Sequence, residues 1–234
     1  MGITQLYSNK EYFMEVSPQS FSCGQLCWLP VPEIAPIPQI LDVERKNSIE
    51  HEEIRFILRN ANRRDDFRKR DRGLPIKYLN LYSNEELLVH KAKRRPGVIL
   101  CSKVDAYPDI AHLLRQQGRK HLQEDSIFVI PCYHTETDDD PGGFPPAMVM
   151  RIRHLLYRQF FYMPKHVKFK EAIARFDRIQ MVSGRDRAAI EPSDVSLSEE
   201  VLNIFLSSFV YCIMGIADTE LSAALSIIRE AYKG

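Results

Sequence analysis

The sequence has no excess of either charge. Its 32 Lys+Arg stand against 31 Asp+Glu, a formal net charge of +1. Any affinity for a polyanion must therefore come from local clustering of basic residues. Long hydrophobic runs are also lacking. The most apolar stretch, Val201 to Ile216, is interrupted by Asn203, Ser207 and Ser208 and reads as a buried helix, so no membrane association is expected. Cys23 and Cys27 have no second Cys or His pair at zinc-finger spacing, and they read as alternating core positions on a strand. There is no Gly-rich phosphate loop, HExxH or GxSxG motif. The acids Glu136, Asp138, Asp139 and Asp140 fall in a Pro/Gly stretch and read as a solvated loop rather than a metal cage. No cofactor is expected, and no internal repeat or low-complexity tract is present.

What the chain does have is an ordinary globular composition. Its 234 residues are 44% hydrophobic and 27% charged, enough for one sizeable core and unlike a disordered chain. The cysteines at 23, 27, 101, 132 and 212 are odd in number and scattered. They read as free thiols in a reducing compartment. The start, MGITQLYSNKEYF, lacks a basic-then-apolar signal pattern, and a cytoplasmic location is expected.

The segment FSCGQLCWLPV, Phe21 to Val31, reads as a strand ended by the prolines at 30, 32, 36 and 38. From Ile49 to Leu58 the apolar positions 49, 54, 57 and 58 have a helical spacing. Gly97 to Cys101 (GVILC) and Ser126 to Cys132 (SIFVIPC) are short apolar runs of the buried-strand type. Pro108 to Gln117 between them reads as a helix stopped by Gly118. TETDDDPGGFPP reads as a loop. Glu171 to Ile179 reads as a strand that runs to a turn at Ser183-Gly184, and Ser196-Leu197-Ser198-Glu199 reads as a capping box. It opens a helix with Leu202, Phe205, Phe209 and Ile213 on one side. Asp218 is a cap for a last helix carrying Leu221, Leu225, Ile228 and Tyr232. Strands separated by long loops, with helices late in the chain, point to a small barrel or an α+β domain, mainly β, and the length allows one domain or two small ones.

Three basic clusters stand out. The first holds Arg59, Arg63, Arg64, Arg68, Lys69, Arg70 and Arg72, and its Asp65, Asp66 and Asp71 also allow internal ion pairing. The second holds His90, Lys91, Lys93, Arg94 and Arg95. The third holds Arg151, Arg153, His154 and Arg158 among Tyr157, Phe160, Phe161 and Tyr162. Guanidinium forks bind phosphate and exposed aromatic rings stack on unpaired bases, which points to RNA. The Arg151–Tyr162 segment also reads as a partly buried helix. Arg95 differs from the rest. Pro96 restricts the backbone beside it at the start of a buried strand, which preorganises a phosphate contact.

The order of segments resembles the PemK/MazF family of toxin-like ribonucleases. The pieces that carry it are GQLCWL, RRPGVILCS, SIFVIPC, and IARFDRIQMVSGRDR followed by DVSLSEE; together they cover under half of the chain. The resemblance implies a single domain 1–234 on a small SH3-like barrel, with insertions at about 32–90 and 136–165 and C-terminal helices at about 197–233. It implies RNA as substrate, a homodimer, and a small antitoxin protein as partner. It assigns the scissile-phosphate role to Arg95. The family's hydroxyl residue follows the proline of the later strand; a strict count from Pro131 reaches Tyr133, and Thr135 lies two residues beyond.

Such a reaction uses the 2′-OH of RNA as nucleophile, so it needs a base, a cation and an acid rather than a metal. Arg95 suits the cation, and His134, as an imidazole, suits proton exchange. Tyr133 or Thr135 suits hydrogen bonding to a phosphate oxygen. Lys93, Arg94, Arg64, Arg68 and Arg153 are the candidate RNA-binding residues. A non-catalytic module that holds RNA or a protein on the same barrel is the competing reading. A toxin-like fold directed at a protein is a third, with no residue of its own behind it.

Overall fold

The computed structural model describes residues 2–19, 21–45, 54–62, 64–68, 84–101, 126–183 and 190–233. The helix expected at 108–117, the residues Arg63, Lys69, Arg70 and Arg72, and the turn at Gly184 lie outside them. The chain divides into two compact units, one made of 1–31 with 94–234 and the other of 32–93.

The first unit is built on one mainly antiparallel sheet. Its strands are β1 (Phe13–Glu15), β2 (Gln25–Pro32), β6 (Ala92–Cys101), β7 (Ser126–His134), β8 (Phe160–Met163), β9 (Ala172–Arg175), β10 (Gln180–Ser183) and β11 (Glu191–Leu197). The pairing runs β1-β11-β2-β6-β7-β9-β8, with β10 added to β7. Among the described residues this path stays open and does not close into a barrel. The class is α+β with an antiparallel sheet, as the composition of segments implies.

β6 and β7 form where the apolar runs are, because both of their faces are covered. Val98, Ile130 and Cys132 join one core with Phe161, Phe205 and Ile228. Ile99, Ile127 and Val129 join a second with Cys27, Leu29 and Ile190. Burial pushes the Cys27 thiol up to about 12 and raises that of Cys132 as well, so both sit in the core as neutral thiols. Gly97 lies where the sheet is tightest. A Cβ there would come within 2.6 Å of Val129 Cγ1 and 2.9 Å of Leu29 Cδ2. Gly97→Ala is therefore expected to lower stability by about 1–3 kcal/mol, read as a fall in the urea midpoint with an unchanged slope.

Several elements differ from the sequence reading. The early strand starts at Gln25, after Gly24 with φ +85. It runs through Pro30 and Pro32, because its pairing with β11 ends at Trp28 and neither proline withholds a donor from that ladder. The segment read as one helix or platform, Arg151–Tyr162, is split. The helix Pro146–Arg153 ends, Leu155 takes φ 52, and Phe160–Met163 pairs with β9. The strand expected from Glu171 to Ile179 stops at Arg175 and continues as a 3-10 turn over Phe176–Arg178.

The helix Glu199–Met214 is capped by Ser198, whose Oγ accepts from Val201 N. Ser196 is instead buried in β11, so the cap falls two residues later than the capping-box match. The expected stripe holds for Phe205, whereas Ile213 is exposed. Asp218 does cap the helix Thr219–Lys233, accepting from Leu221 N at 2.8 Å. Leu221, Leu225 and Ile228 are buried. Among the described residues no single helix is long and apolar enough to cross a membrane.

The second unit carries a three-stranded sheet of β3 (Gln39–Arg45), β4 (Ile54–Asn60) and β5 (Leu88–Val89), ordered β4-β3-β5. β4 overturns the helical reading of Ile49–Leu58 over Ile54–Leu58, while 49–53 lie outside the described residues. It pairs with β3 along its whole length, from Gln39↔Asn60 to Arg45↔Ile54. Phe56, Ile57 and Leu58 are exposed, so the helical spacing of its apolar residues did not mark a buried stripe.

Candidate functional site

Antiparallel register brings the chemistry together at the end of β7. β6 pairs with β7 as Gly97↔Pro131 and Val98↔Ile130; continuing that register sets Arg95 opposite Tyr133. On the other edge β9 pairs as Tyr133↔Ile173, which puts Arg175 on the adjacent diagonal position of the same face. Both guanidinium groups reach the Tyr133 ring. Arg95 Cζ lies 4.3 Å and Arg175 Cζ 5.2 Å from its centroid. Arg175 is also bonded by two nitrogens to Asp177, with Nε–Oδ1 at 3.0 Å.

These residues open into a pocket of about 210 Å³ that His134 and Phe144 also line. The loop after β7 closes it. Phe144 N donates to the His134 carbonyl at 3.1 Å, and Glu136 N donates to the Phe144 carbonyl at 2.9 Å. Gly142 and Gly143 are lining residues. A Cβ on Gly143 would lie 2.5 Å from Glu136 N and 2.6 Å from the Thr135 carbonyl oxygen, so the two backbone segments approach this closely only with glycine there. Within the loop, Thr137 and Asp140 exchange backbone bonds. The turn carries the Asp140 carboxylate to 3.0 Å from His134 Nε2. Asp140, read from the sequence as solvated, thus faces the imidazole.

Thr135 turns away from the pocket. It is buried, and its hydroxyl donates to Glu171 Oε2 at 3.0 Å. Glu171 also accepts from Tyr162 Oη and from Arg153, and Arg153 donates to Tyr162 Oη at 2.6 Å. Arg153 is therefore spent on an internal network. Burial acts to raise the Glu171 carboxyl, but its bonds from Tyr162, Arg153 and Thr135 outweigh that and hold it below the ordinary value of 4.5. A depressed carboxylate stabilises the fold above its ordinary pKa and loses that contribution as pH falls through the depressed value. Acid titration of the folded chain is expected to show a loss of stability beginning below 4.5, flattened in Glu171→Gln. A urea-melt series from neutral to acid pH checks this.

The other basic candidates are not among the residues that line the pocket. Arg94, next to Arg95 on β6, points to the opposite face; it pairs with Glu191 and packs over Trp28 at 4.9 Å. Lys93, Arg64 and Arg68 are exposed and belong to the second unit. There Arg59 is bonded to Asp42 and Asp66, so the internal pairing open to the first cluster is found at this arginine. In the third cluster Arg151 bonds Tyr157 at 3.3 Å, and Arg158 packs over Tyr211. Sequence reasoning selected Arg95, Tyr133 and His134, which the fold brings together, and Thr135, which it draws off. It did not select Arg175, Asp140 or Gly143. The only signal for Arg175 was its position in IARFDRI, since its role depends on which strand β9 joins.

Comparisons of the chain with protein-family models, with curated proteins and with solved structures found no match in any of the three.

Proposed function

We propose that the chain is a metal-independent endoribonuclease that acts on single-stranded RNA at the Arg95 pocket. One observation carries this: Arg95 and His134, a permanent cation and a proton-exchanging group on two paired strands, open into one pocket. In the proposed reaction His134 takes the 2′-OH proton, and the 2′-oxygen attacks the adjacent phosphorus. The P–O5′ bond then breaks, leaving a 2′,3′-cyclic phosphate and a 5′-oxygen that takes a proton from solvent. Arg95 supplies charge to the phosphorane through a forked donor set. The Asp140 carboxylate, 3.0 Å from His134 Nε2, places a negative charge beside the imidazole that favours its protonated form once the proton is taken.

The PemK/MazF-like barrel remains our reading of the fold type. β7 supports it by serving three partners: β6 on one edge, β10 over Ser126–Val129 and β9 over Cys132–His134. A cytoplasmic site of action, a homodimer and a small antitoxin that fills the pocket belong to the same proposal. So does the single-domain organisation with residues 32–90 inserted.

A second reading, RNA binding without cleavage, is favoured by Thr135, whose hydroxyl is bonded to Glu171 rather than presented to the pocket. His134→Gln separates the two. The expected result is a loss of cleavage of about 100-fold or more with RNA affinity within a few-fold of the parent. If the parent chain binds RNA in the pocket and leaves it intact, the binding module is correct.

A further inference from the structure

We propose that Arg175 is a second phosphate ligand of this pocket and that Asp177 is its built-in competitor. This rests on reading the pocket as a site for an RNA phosphodiester. Arg95 has no carboxylate partner among the described residues, whereas Arg175 has one. Asp177 takes two of its nitrogens. A guanidinium has five N–H donors in a fixed fork, so the edge not facing Asp177 is left for an anion. Both arginines are brought to the same tyrosine ring from strands on either side of β7. They form a cationic pair for which Asp177 and an incoming phosphate are the counter-charges.

The Arg175–Asp177 pair is built to yield. Asp177 is the more accessible partner, its side chain 37% exposed against 22% for Arg175, so solvent screens the carboxylate's hold on the guanidinium. Asp177 Oδ2 also lies 3.8 Å from Arg178 Nε, so a carboxylate that releases Arg175 keeps a cation beside it. A phosphodiester arriving between Arg95 and Arg175 meets the free edge of the Arg175 guanidinium and competes with Asp177 for its charge. Until it arrives, the carboxylate holds the arginine in position and repels weakly bound anions.

Two titrations on the full chain test this. Inorganic phosphate is followed through the arginine Nε–Hε NMR signals, and an unstructured single-stranded RNA through fluorescence anisotropy. Phosphate is expected to shift the Arg95 and Arg175 signals together. Asp177→Asn is expected to tighten both ligands about 2- to 5-fold, and Arg175→Gln to weaken them about 10- to 100-fold. Arg175 also packs against Phe160. If Arg175→Gln does not fold, Asp177→Asn, at an exposed turn, decides alone. A phosphate shift confined to Arg95, or an affinity unchanged or weakened in Asp177→Asn, overturns the proposal. Phosphate binding at both arginines with no RNA binding leaves the clamp standing and removes RNA as its ligand. RNA binding lost in Arg95→Ala yet insensitive to positions 175 and 177 removes the clamp and leaves the RNA reading standing.

Discussion

Arg95→Ala is expected to lower RNA cleavage by about 100- to 1,000-fold while leaving the thermal midpoint nearly unmoved. The two halves of that result have separate causes. The guanidinium packs over the Tyr133 ring at 4.3 Å, and a partly exposed contact of this kind is worth about 0.5–1 kcal/mol. Its removal costs the folded state little. In the reaction the same group faces a phosphorus that gains negative charge as the 2′-oxygen adds. A fixed cation in a small pocket acts there without having to reorganise. Arg95→Lys is expected to remain well below the parent, because an ammonium is a point charge and cannot hold two phosphate oxygens at once. Single-turnover cleavage alongside a thermal melt checks both halves.

Gly143→Ala is the second large effect, and it reaches activity through the backbone. An added Cβ meets main-chain atoms of Thr135 and Glu136, and no rotamer change relieves such a clash. The loop has an easier route, which is to move away from β7. That movement breaks the paired bonds between His134, Glu136 and Phe144 and withdraws Asp140 from His134. The expected outcome is a stability change of about 1–3 kcal/mol but a loss of cleavage near 100-fold, since displacements of about 1 Å at a reacting centre carry costs of that order. RNA affinity falls less, because Arg95 stands on β6 and does not depend on the loop. A variant with a lower melting temperature and full activity would show that the loop takes no part.

What could be read from the sequence follows a physical division. β6 and β7 were legible because both faces of each are buried, so composition alone reports them. The last helix was legible from Asp218 and its apolar stripe, which are local signals. Ile54–Asn60 was misread because Phe56, Ile57 and Leu58 are exposed on a strand, where helical spacing of apolar residues carries no information about packing. The two-residue slip of the N-cap has a similar origin. Ser196 and Ser198 both match capping chemistry, and pairing of Ser196 with Gln25 in the sheet decides between them.

The site divides the same way. Arg95 was visible because Pro96 and the following apolar run identify a strand start. Tyr133 and His134 were visible by their distance from Pro131. Arg175 was hidden because only the register of β9 against β7 carries it to Tyr133. Asp140 was hidden because a run of acids in a loop looks the same whether solvated or turned toward a histidine. Thr135 was over-read: the hydroxyl looked available until Glu171, far along the chain, took it as a donor.

The most direct measurement is end-group analysis of an unstructured RNA incubated with the parent chain in EDTA. Cleavage that persists in the chelator and leaves 2′,3′-cyclic phosphate and 5′-hydroxyl ends is the predicted result, with the products absent in Arg95→Ala. RNA that stays intact while bound, or products ending in 3′-hydroxyl groups, would contradict attack by the 2′-oxygen at this pocket.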